Sequence, residues 1–270
     1  MSSNPPLSVT LLGTGTSTGV PVLGCDCAVC QSSDPRDTRT RCSCYIEVGA
    51  LRLLIDTGPD FRAQALREGI DRLDAVLYTH YHFDHIVGVD DLRPFFFRNS
   101  APMPCYAPTE TARTFEQKYA YIFGANRYPG AARLTLHAID HEADAPFTVE
   151  SRYGSDASVR VTPLEGYHGD LLVYGYRIGD FAYLTDVSRL PDSTLARLQG
   201  LDVLVLDALR SEPHPTHFSF DEAVDIAQQV GARQTYFIHM THNARHAEAD
   251  AALPDGINLG YDGLTFNSGA

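Results

Sequence analysis

Apolar and polar positions along the chain fall into short blocks that predict strands more often than helices. Apolar, β-branched and aromatic runs recur between turns rich in Gly, Pro and Asp. They predict strands at residues 7–12, 45–48, 51–55, 75–78, 159–163, 172–178, 181–185, 203–207 and 234–238. Gly49 and Ala50 separate the second strand from the third and predict a hairpin.

Three helices are predicted, at residues 60–68, 195–198 and 220–229. Ser219 directly precedes the last of these helices, and Glu222 follows Ser219 by three residues. This is the pattern of a capping box. Strands in two sets with helices outside them favour an α/β fold with four layers in the order helix, sheet, sheet, helix.

An aromatic-rich segment spans residues 93–133. Its aromatic side chains are Phe95, Phe96, Phe97, Phe115, Tyr119, Tyr121, Phe123 and Tyr128. A helix and loop packed on the core is the main interpretation. A lid or insertion over an active site is the alternative.

Composition favours a single domain over residues 1–270. The chain has 270 residues with 44% hydrophobic content, and no linker, repeat or low-complexity tract divides it. The formal net charge of −13 argues against general nucleic-acid binding, which needs a basic surface. The first residues lack an export signal and no long apolar stretch follows, so a cytoplasmic protein without membrane contact is expected.

The strongest chemical signal lies at residues 79–85, which read Thr-His-Tyr-His-Phe-Asp-His directly after a predicted strand. So many ligand groups can hardly all face one ion. His80 and His82 can point to one metal, while Asp84 and His85, displaced to the other side, point to a second. A solvated loop with accidental histidines is the alternative, but such density at a strand end is rare.

Further ligand types stand at the ends of later strands. Each alone would more often be an ordinary polar residue, but together they complete two sets around two ions. His80, His82 and His168 would hold one ion, Asp84, His85 and His239 would hold the other, and Asp186 would bridge them. The two oxygens of a carboxylate suit a pair of ions about 3.5 to 4 Å apart.

Six cysteines in a chain of this length do not indicate a disulfide scaffold. Cys25, Cys27 and Cys30 give three soft ligands, one short of a tetrahedral zinc site. By spacing alone, the fourth ligand is Cys42, Cys44 or a histidine.

The glycine-rich loop at residues 13–19 resembles a dinucleotide loop only weakly, and a tight turn near a metal site is the better interpretation.

The order and spacing of the ligands resemble the metallo-β-lactamase superfamily over nearly the whole chain. The strings Leu12-Gly-Thr-Gly15, Asp56-Thr-Gly58 and Gly260-Tyr-Asp-Gly263 also match it. The resemblance implies an αββα sandwich with the metals at one edge of the two sheets. It also implies a metal-dependent hydrolase whose site holds two divalent ions, manganese or zinc.

Within the superfamily, the cysteine loop is similar to that of the phosphoribosyl cyclic phosphate phosphodiesterases of phosphonate catabolism. That resemblance implies a structural zinc on Cys25, Cys27, Cys30 and His242, which leaves Cys42, Cys44 and Cys105 without a role. It also implies a general acid in the loop before the last predicted helix. His217 is the first candidate and His214 the second, with helix capping as the alternative role of either.

The expected reaction is hydrolysis of a phosphodiester, with the opening of a small cyclic phosphate as the specific case. Two ions would lower the pKa of a water and neutralise charge on phosphoryl oxygens, while Asp84 and Asp186 orient the nucleophile. Weaker candidates for contacts with a small phosphorylated substrate are Arg93, Arg210, His214 and residues 14–19.

Three rival functions remain from the sequence. They are an endonuclease similar to those that process tRNA 3′ ends, a thioester, lactone or β-lactam hydrolase, and a non-catalytic accessory protein of cofactor biosynthesis. An acidic chain argues against the first, and a full set of seven ligands argues against the third. The sequence leaves open whether two copies of the chain form a homodimer.

Overall fold

Two mixed sheets of seven strands each form the centre of the computed structural model, which describes residues 7–124, 128–140 and 145–269. The first sheet has the strand order β14 (Thr265–Ser268), β1 (Leu7–Gly13), β2 (Ser43–Val48), β3 (Leu51–Ile55), β4 (Ala75–Leu77), β5 (Met103–Pro108) and β6 (Leu134–Ile139). The second has the order β13 (Ile257–Leu259), β12 (Gln234–Ile238), β11 (Val203–Asp207), β10 (Phe181–Leu184), β9 (Leu171–Ile178), β8 (Ser158–His168) and β7 (Phe147–Glu150).

Helices cover the outer faces of both sheets. The α-helices are α1 (Phe61–Arg67), α2 (Phe83–Ile86), α3 (Thr109–Lys118), α4 (Ala120–Phe123), α5 (Asp192–Arg197), α6 (Phe220–Val230) and α7 (His246–Ala251). Short 3-10 helices span Pro35–Asp37 and Val87–Phe96. None of the helices formed by the described residues is long and apolar enough to cross a membrane.

Neighbouring strand residues enter different cores because successive side chains point to opposite faces of a sheet. Leu53 and Val205 lie in the core between the sheets. Leu54 belongs to the core under the helices of the first sheet, and Leu204 to the core under those of the second. Three buried cores require four layers, so the predicted αββα sandwich is confirmed.

One half of each sheet consists of four parallel strands, and this collects their carboxyl ends at one edge. Strands β3 to β6 pair in parallel, as do β10 to β13. Chemistry in α/β folds concentrates at this edge. The residues that end these strands or follow them within three positions include Asp56, His80, Asp186, Asp207 and His239.

The aromatic segment 93–133 differs from the expected helix and loop. Strand β5 runs through it and pairs with β4 and β6, and Phe115 on α3 is fully buried. The sequence did not predict β5 because the strand contains two prolines, and proline is unfavourable inside a strand. Residues 125–127 of this segment, and residues 1–6 with the expected lack of an export signal, lie outside the described residues.

Helix α5 begins at Asp192, three residues earlier than expected, and the capping box at Ser219 is present.

Candidate metal centre

Three residues at the strand ends have left-handed backbone conformations. The φ angles of Asp56, Asp186 and His239 are 61°, 56° and 67°. Asp and His enter this region more readily than most side chains, and branched or bulky ones are strained there. The chain therefore turns sharply where each of these strands stops, and each side chain is set by that turn.

One group of four predicted ligands is gathered closely. The ligand atoms of Asp84, His85, Asp186 and His239 all lie within 4.8 Å of one another. His85 Nε2 lies 3.2 Å from Asp84 Oδ2 and 3.2 Å from Asp186 Oδ2, and His239 Nε2 lies 3.2 Å from Asp186 Oδ1. These are the residues predicted for the second ion.

The other group lies beside the first, with the ring centres of His80 and His85 4.2 Å apart. The ring centres of His80 and His82 are 4.6 Å apart, those of His82 and His168 are 5.1 Å apart, and those of His80 and His168 are 5.8 Å apart. His80 Nε2 is 4.0 Å from Asp186 Oδ1. The structure thus gathers the seven predicted ligands in one cluster, in which the buried carboxylate of Asp186 lies near members of both groups.

The hydrogen bonds of the imidazoles fit metal binding. Nδ1 of His85 faces Asp56 Oδ2 at 2.7 Å, Nδ1 of His168 faces the carbonyl oxygen of Thr216 at 2.8 Å, and Nδ1 of His80 faces Thr79 Oγ1 at 3.0 Å. The buried Nε2 atoms of His80, His85 and His239 have no hydrogen-bond partner among the described residues. A ring held through Nδ1 leaves Nε2 free to coordinate, so this donor set suits divalent ions such as zinc or manganese.

The carboxylates create a negative electrostatic potential at the candidate metal centre, and this potential favours positive charge there. Burial by itself lowers the pKa of His239, but Asp186 and Asp207 outweigh it and raise that pKa to about 9. Burial also opposes ionisation of Asp186, yet His239 and His85 hold its pKa well below the ordinary value. Cations bound by the same carboxylates would be stabilised in the same way.

Two buried carboxylates at the centre were missed by sequence reasoning. Asp56 accepts hydrogen bonds from the backbone N–H and the hydroxyl of Thr79, both at 2.8 Å, besides facing His85. Asp207 lies 3.3 Å from Nδ1 of His239 and 3.3 Å from Nδ1 of His217. Asp56 belongs to the string Asp56-Thr-Gly58 that matches the superfamily, whereas the position of Asp207 at the end of an apolar strand is its only sequence signal.

The two candidate acids are separated by their environment. The buried ring of His217 lies 4.5 Å from that of His168 and stacks on that of His239 at 4.6 Å, centre to centre. His214 is half-buried and its Nδ1 lies 3.2 Å from Thr216 Oγ1. His217 is therefore adjacent to metal ligands, and His214 lies one ring further out.

The weaker substrate candidates are not gathered equally. Arg210 lies in the same loop as His214, with Nε 3.8 Å from Glu212 Oε2. Arg93 is exposed on the 3-10 helix beside Gly130, and no contact links it to the ligands in the described part of the chain. The 13–19 loop lies against the centre, since Thr16 N–H donates to Met240 O and Met240 N–H donates to Thr14 O, each at 3.1 Å.

The cysteine cluster is assembled as expected. The Sγ atoms of Cys25, Cys27 and Cys30 lie 3.3, 3.4 and 3.4 Å from Nδ1 of His242. The backbone N–H of Cys30 is the main cause that lowers the pKa of the Cys27 thiol to about 6. Three sulfurs and one imidazole around a common point fit a closed zinc site. Cys42, Cys44 and Cys105 are buried free thiols.

Comparison with known proteins decides the family. The model of the beta-lactamase superfamily domain matches residues 51–240, which is more than half of the chain. The chain belongs to this superfamily. The predicted superfamily and the prediction of a superfamily hydrolase are therefore confirmed.

Relatives within the beta-lactamase superfamily carry different names. A crystal structure of a diphosphatase from the PhnP family has a TM-score of 0.87 and 44% identity, and the match covers 97% of both chains. An octanoyltransferase of Porphyromonas gingivalis is 42% identical over 94% of this chain, but the chain spans only 50% of its length. A coenzyme PQQ synthesis protein B of Methylorubrum populi is 27% identical over 74% of this chain and 72% of its own.

Proposed function

We propose that the protein is a phosphodiesterase that depends on two divalent metal ions and opens a small cyclic phosphate. The observation that carries the proposal is the cluster of seven predicted ligands, Asp186 among them, with the buried pair His217 and Asp207 directly beside it. Manganese or zinc would occupy the two ligand groups, and a structural zinc would occupy the cysteine cluster. The similar PhnP-family diphosphatase supports a phosphoric-ester substrate.

When bound, the two ions would lower the pKa of a water and offset negative charge on the phosphoryl oxygens. The side chains of Asp84 and Asp186 would accept hydrogen bonds from the attacking water and orient it toward phosphorus. His217 would donate a proton to the leaving oxygen. Asp207 fixes the His217 ring by facing its Nδ1 at 3.3 Å, which leaves Nε2 as the nitrogen for proton transfer.

Hydrolysis of a diphosphate bond is the second candidate function. The similarity to a diphosphatase at 44% identity favours it specifically. Both reactions need the same ligands and the same proton donor, and they differ in the leaving group. Substrate comparison therefore separates them better than any further inspection of the ligands.

The test is turnover of defined probes by protein loaded with manganese or zinc. Bis(p-nitrophenyl) phosphate reports the phosphodiesterase reaction, a ribosyl cyclic phosphate reports ring opening, and ADP-ribose reports cleavage of a diphosphate. His217→Ala should lose about 100-fold or more of ring opening while it retains its metals. Cleavage of a thioester, a lactone or a tRNA precursor, with all three phosphate probes intact, would show that the proposed substrate class is wrong.

A further inference from the structure

The Asp186 carboxylate accepts a hydrogen bond from the side chain that precedes it in the chain. The hydroxyl of Thr185 donates to Asp186 Oδ2 at 2.7 Å. Hydroxyl–carboxylate bonds of this length are assisted by the negative charge and are about twice as strong as bonds between neutral groups. Thr185 is 1% exposed and Asp186 is 2% exposed, so bulk water has little access to this oxygen. The hydroxyl is therefore a donor that solvent cannot easily replace.

The backbone fixes the position of Asp186 but not the orientation of its carboxylate. The left-handed turn sets the direction of the side chain, and the backbone N–H of Asp186 donates to Asp207 Oδ1 at 3.3 Å. The last torsion of an aspartate side chain has a broad energy profile, so the backbone alone leaves the carboxylate free to rotate. Such a rotation would break the contact between the Thr185 hydroxyl and Oδ2. The hydroxyl thus removes the remaining freedom.

The orientation of this carboxylate matters because its two oxygens face different predicted ligands. Asp186 Oδ2, which accepts from Thr185, lies 3.2 Å from His85 Nε2. Asp186 Oδ1 lies 3.2 Å from His239 Nε2 and 4.0 Å from His80 Nε2. Threonine suits the task of holding Oδ2 because its branched side chain has few χ1 rotamers. A stiff, buried donor therefore holds a carboxylate that faces both groups of predicted ligands.

We propose that Thr185 is a positioning residue of the metal centre, whose hydroxyl holds the Asp186 carboxylate in the orientation that both ions require. This inference rests on the proposed function, because it takes Asp186 to bind two ions. A carboxylate that is ordered before the ions arrive loses less conformational freedom when they bind, so the ions bind more tightly. Thr185 acts through Asp186 and needs no contact with the substrate.

Calorimetric titration of metal-free protein tests this role with Thr185→Val, which has nearly the same shape but no hydroxyl. Titrations with manganese and, separately, with zinc should show at least one ion bound about tenfold or more weakly than in wild type, as for other outer partners of metal ligands. Thr185→Ser keeps the hydroxyl and should restore most of the affinity. The cysteine cluster is the same in all variants, so zinc bound there does not affect the comparison.

Thr194→Val is the matched control. Thr194 is also buried, and its hydroxyl donates to the carbonyl oxygen of Glu165 at 2.8 Å, but Thr194 lies on helix α5. The control loses a buried hydrogen bond of similar length and should bind both metals as wild type does. Thermal unfolding of the metal-free variants shows whether each is folded, and Thr185→Ala replaces Thr185→Val if valine prevents folding.

Wild-type affinity in Thr185→Val, or equally weak binding in Thr185→Ser and Thr185→Val, would overturn the inference. Turnover of bis(p-nitrophenyl) phosphate is measured on the same samples. Weaker metal binding in Thr185→Val, in a protein that hydrolyses no phosphodiester, would support the positioning role and reject the proposed reaction alone. A wild-type protein that binds neither metal would reject the two-metal centre and the role of Thr185 together.

Discussion

The residue with the widest influence outside the ligand set is Asp207. Its carboxylate faces Nδ1 of a predicted metal ligand, His239, and Nδ1 of the candidate acid, His217. It also accepts a hydrogen bond from the backbone N–H of Phe218 at 3.2 Å. One buried side chain therefore faces both histidines, and Asp207 pairs with Ile238 at the end of β11, a strand that lies between β10 and β12.

Asp207→Ala should lower phosphodiester hydrolysis more than it lowers metal content. Outer partners of metal-binding histidines commonly contribute about 10- to 100-fold in affinity or activity. Kinetics at saturating manganese, together with elemental analysis, would separate the two effects. Asp202→Asn is the matched control, because Asp202 precedes the same strand and pairs with an exposed arginine, Arg233. Full activity in Asp207→Ala would contradict the positioning role.

At the scale of elements, the strand that ends at His239 serves two sites. His242 lies three residues further on and completes the cysteine cluster, while Met240 pairs with the 13–19 loop. The cysteine loop is thereby attached to one wall of the metal centre. Closed sites of this type contribute to folding rather than to chemistry.

Cys27→Ser should release one zinc ion per chain and lower the melting temperature, since zinc binding contributes folding free energy. Elemental analysis and thermal unfolding measure the two effects. Cys105→Ser provides the comparison, because Cys105 is buried under the helices of the first sheet and should leave zinc content unchanged. Equal zinc content in Cys27→Ser and wild type would rule out the cluster as a zinc site.

A second link at this scale joins the cysteine loop to helix α7. Arg39 and His246 share a hydrogen bond of 2.9 Å, and burial together with Arg39 lowers the pKa of His246 to about 4. The unfolded chain, with the ordinary value of 6.5, takes up a proton first as pH falls. Stability from this histidine is therefore complete above about pH 6.5 and is lost as pH falls toward 4.

Urea unfolding between pH 7 and pH 5 measures this loss. His246→Asn keeps an acceptor near Arg39 but does not titrate, so its midpoint should fall less than that of wild type over the same interval. If the urea midpoints of the two proteins fall equally between pH 7 and pH 5, His246 does not contribute to the pH dependence of stability.

For the molecule as a whole, the two ions would link the two sheets. The ligands at residues 80–85 follow β4 of the first sheet, whereas His168, Asp186 and His239 belong to the second. Ions that bind only the folded state stabilise it, by about 2.7 kcal/mol at a concentration 100 times the dissociation constant. We expect metal removal by a chelator to lower the melting temperature by roughly 5 to 10 °C. The same treatment should lower the melting temperature of Asp186→Asn much less. An equal decrease would contradict the hypothesis that ions bound at Asp186 link the two sheets.

The sequence alone indicates which residues the fold brings together at the candidate centre, but it does not indicate what surrounds them, for physical reasons. The run at residues 79–85 is dense in ligand types, and His168, Asp186 and His239 stand at ends of visible apolar strands. The roles of Asp56 and Asp207 depend on which strands are neighbours, which no local pattern contains. Short edge strands such as β7 and β13 were missed because they carry few apolar positions.

The left-handed turns at Asp56, Asp186 and His239 govern how this centre can be altered by mutagenesis. Asparagine tolerates that backbone conformation, whereas valine or isoleucine would add steric strain of about 1 to 2 kcal/mol per residue to the loss of a predicted ligand or, at Asp56, of the hydrogen bonds to Thr79 and His85. An inactive variant with a β-branched replacement would thus combine two defects. Libraries that vary these positions should be restricted to Asn, Asp, His and Gly, so that each phenotype reports coordination alone.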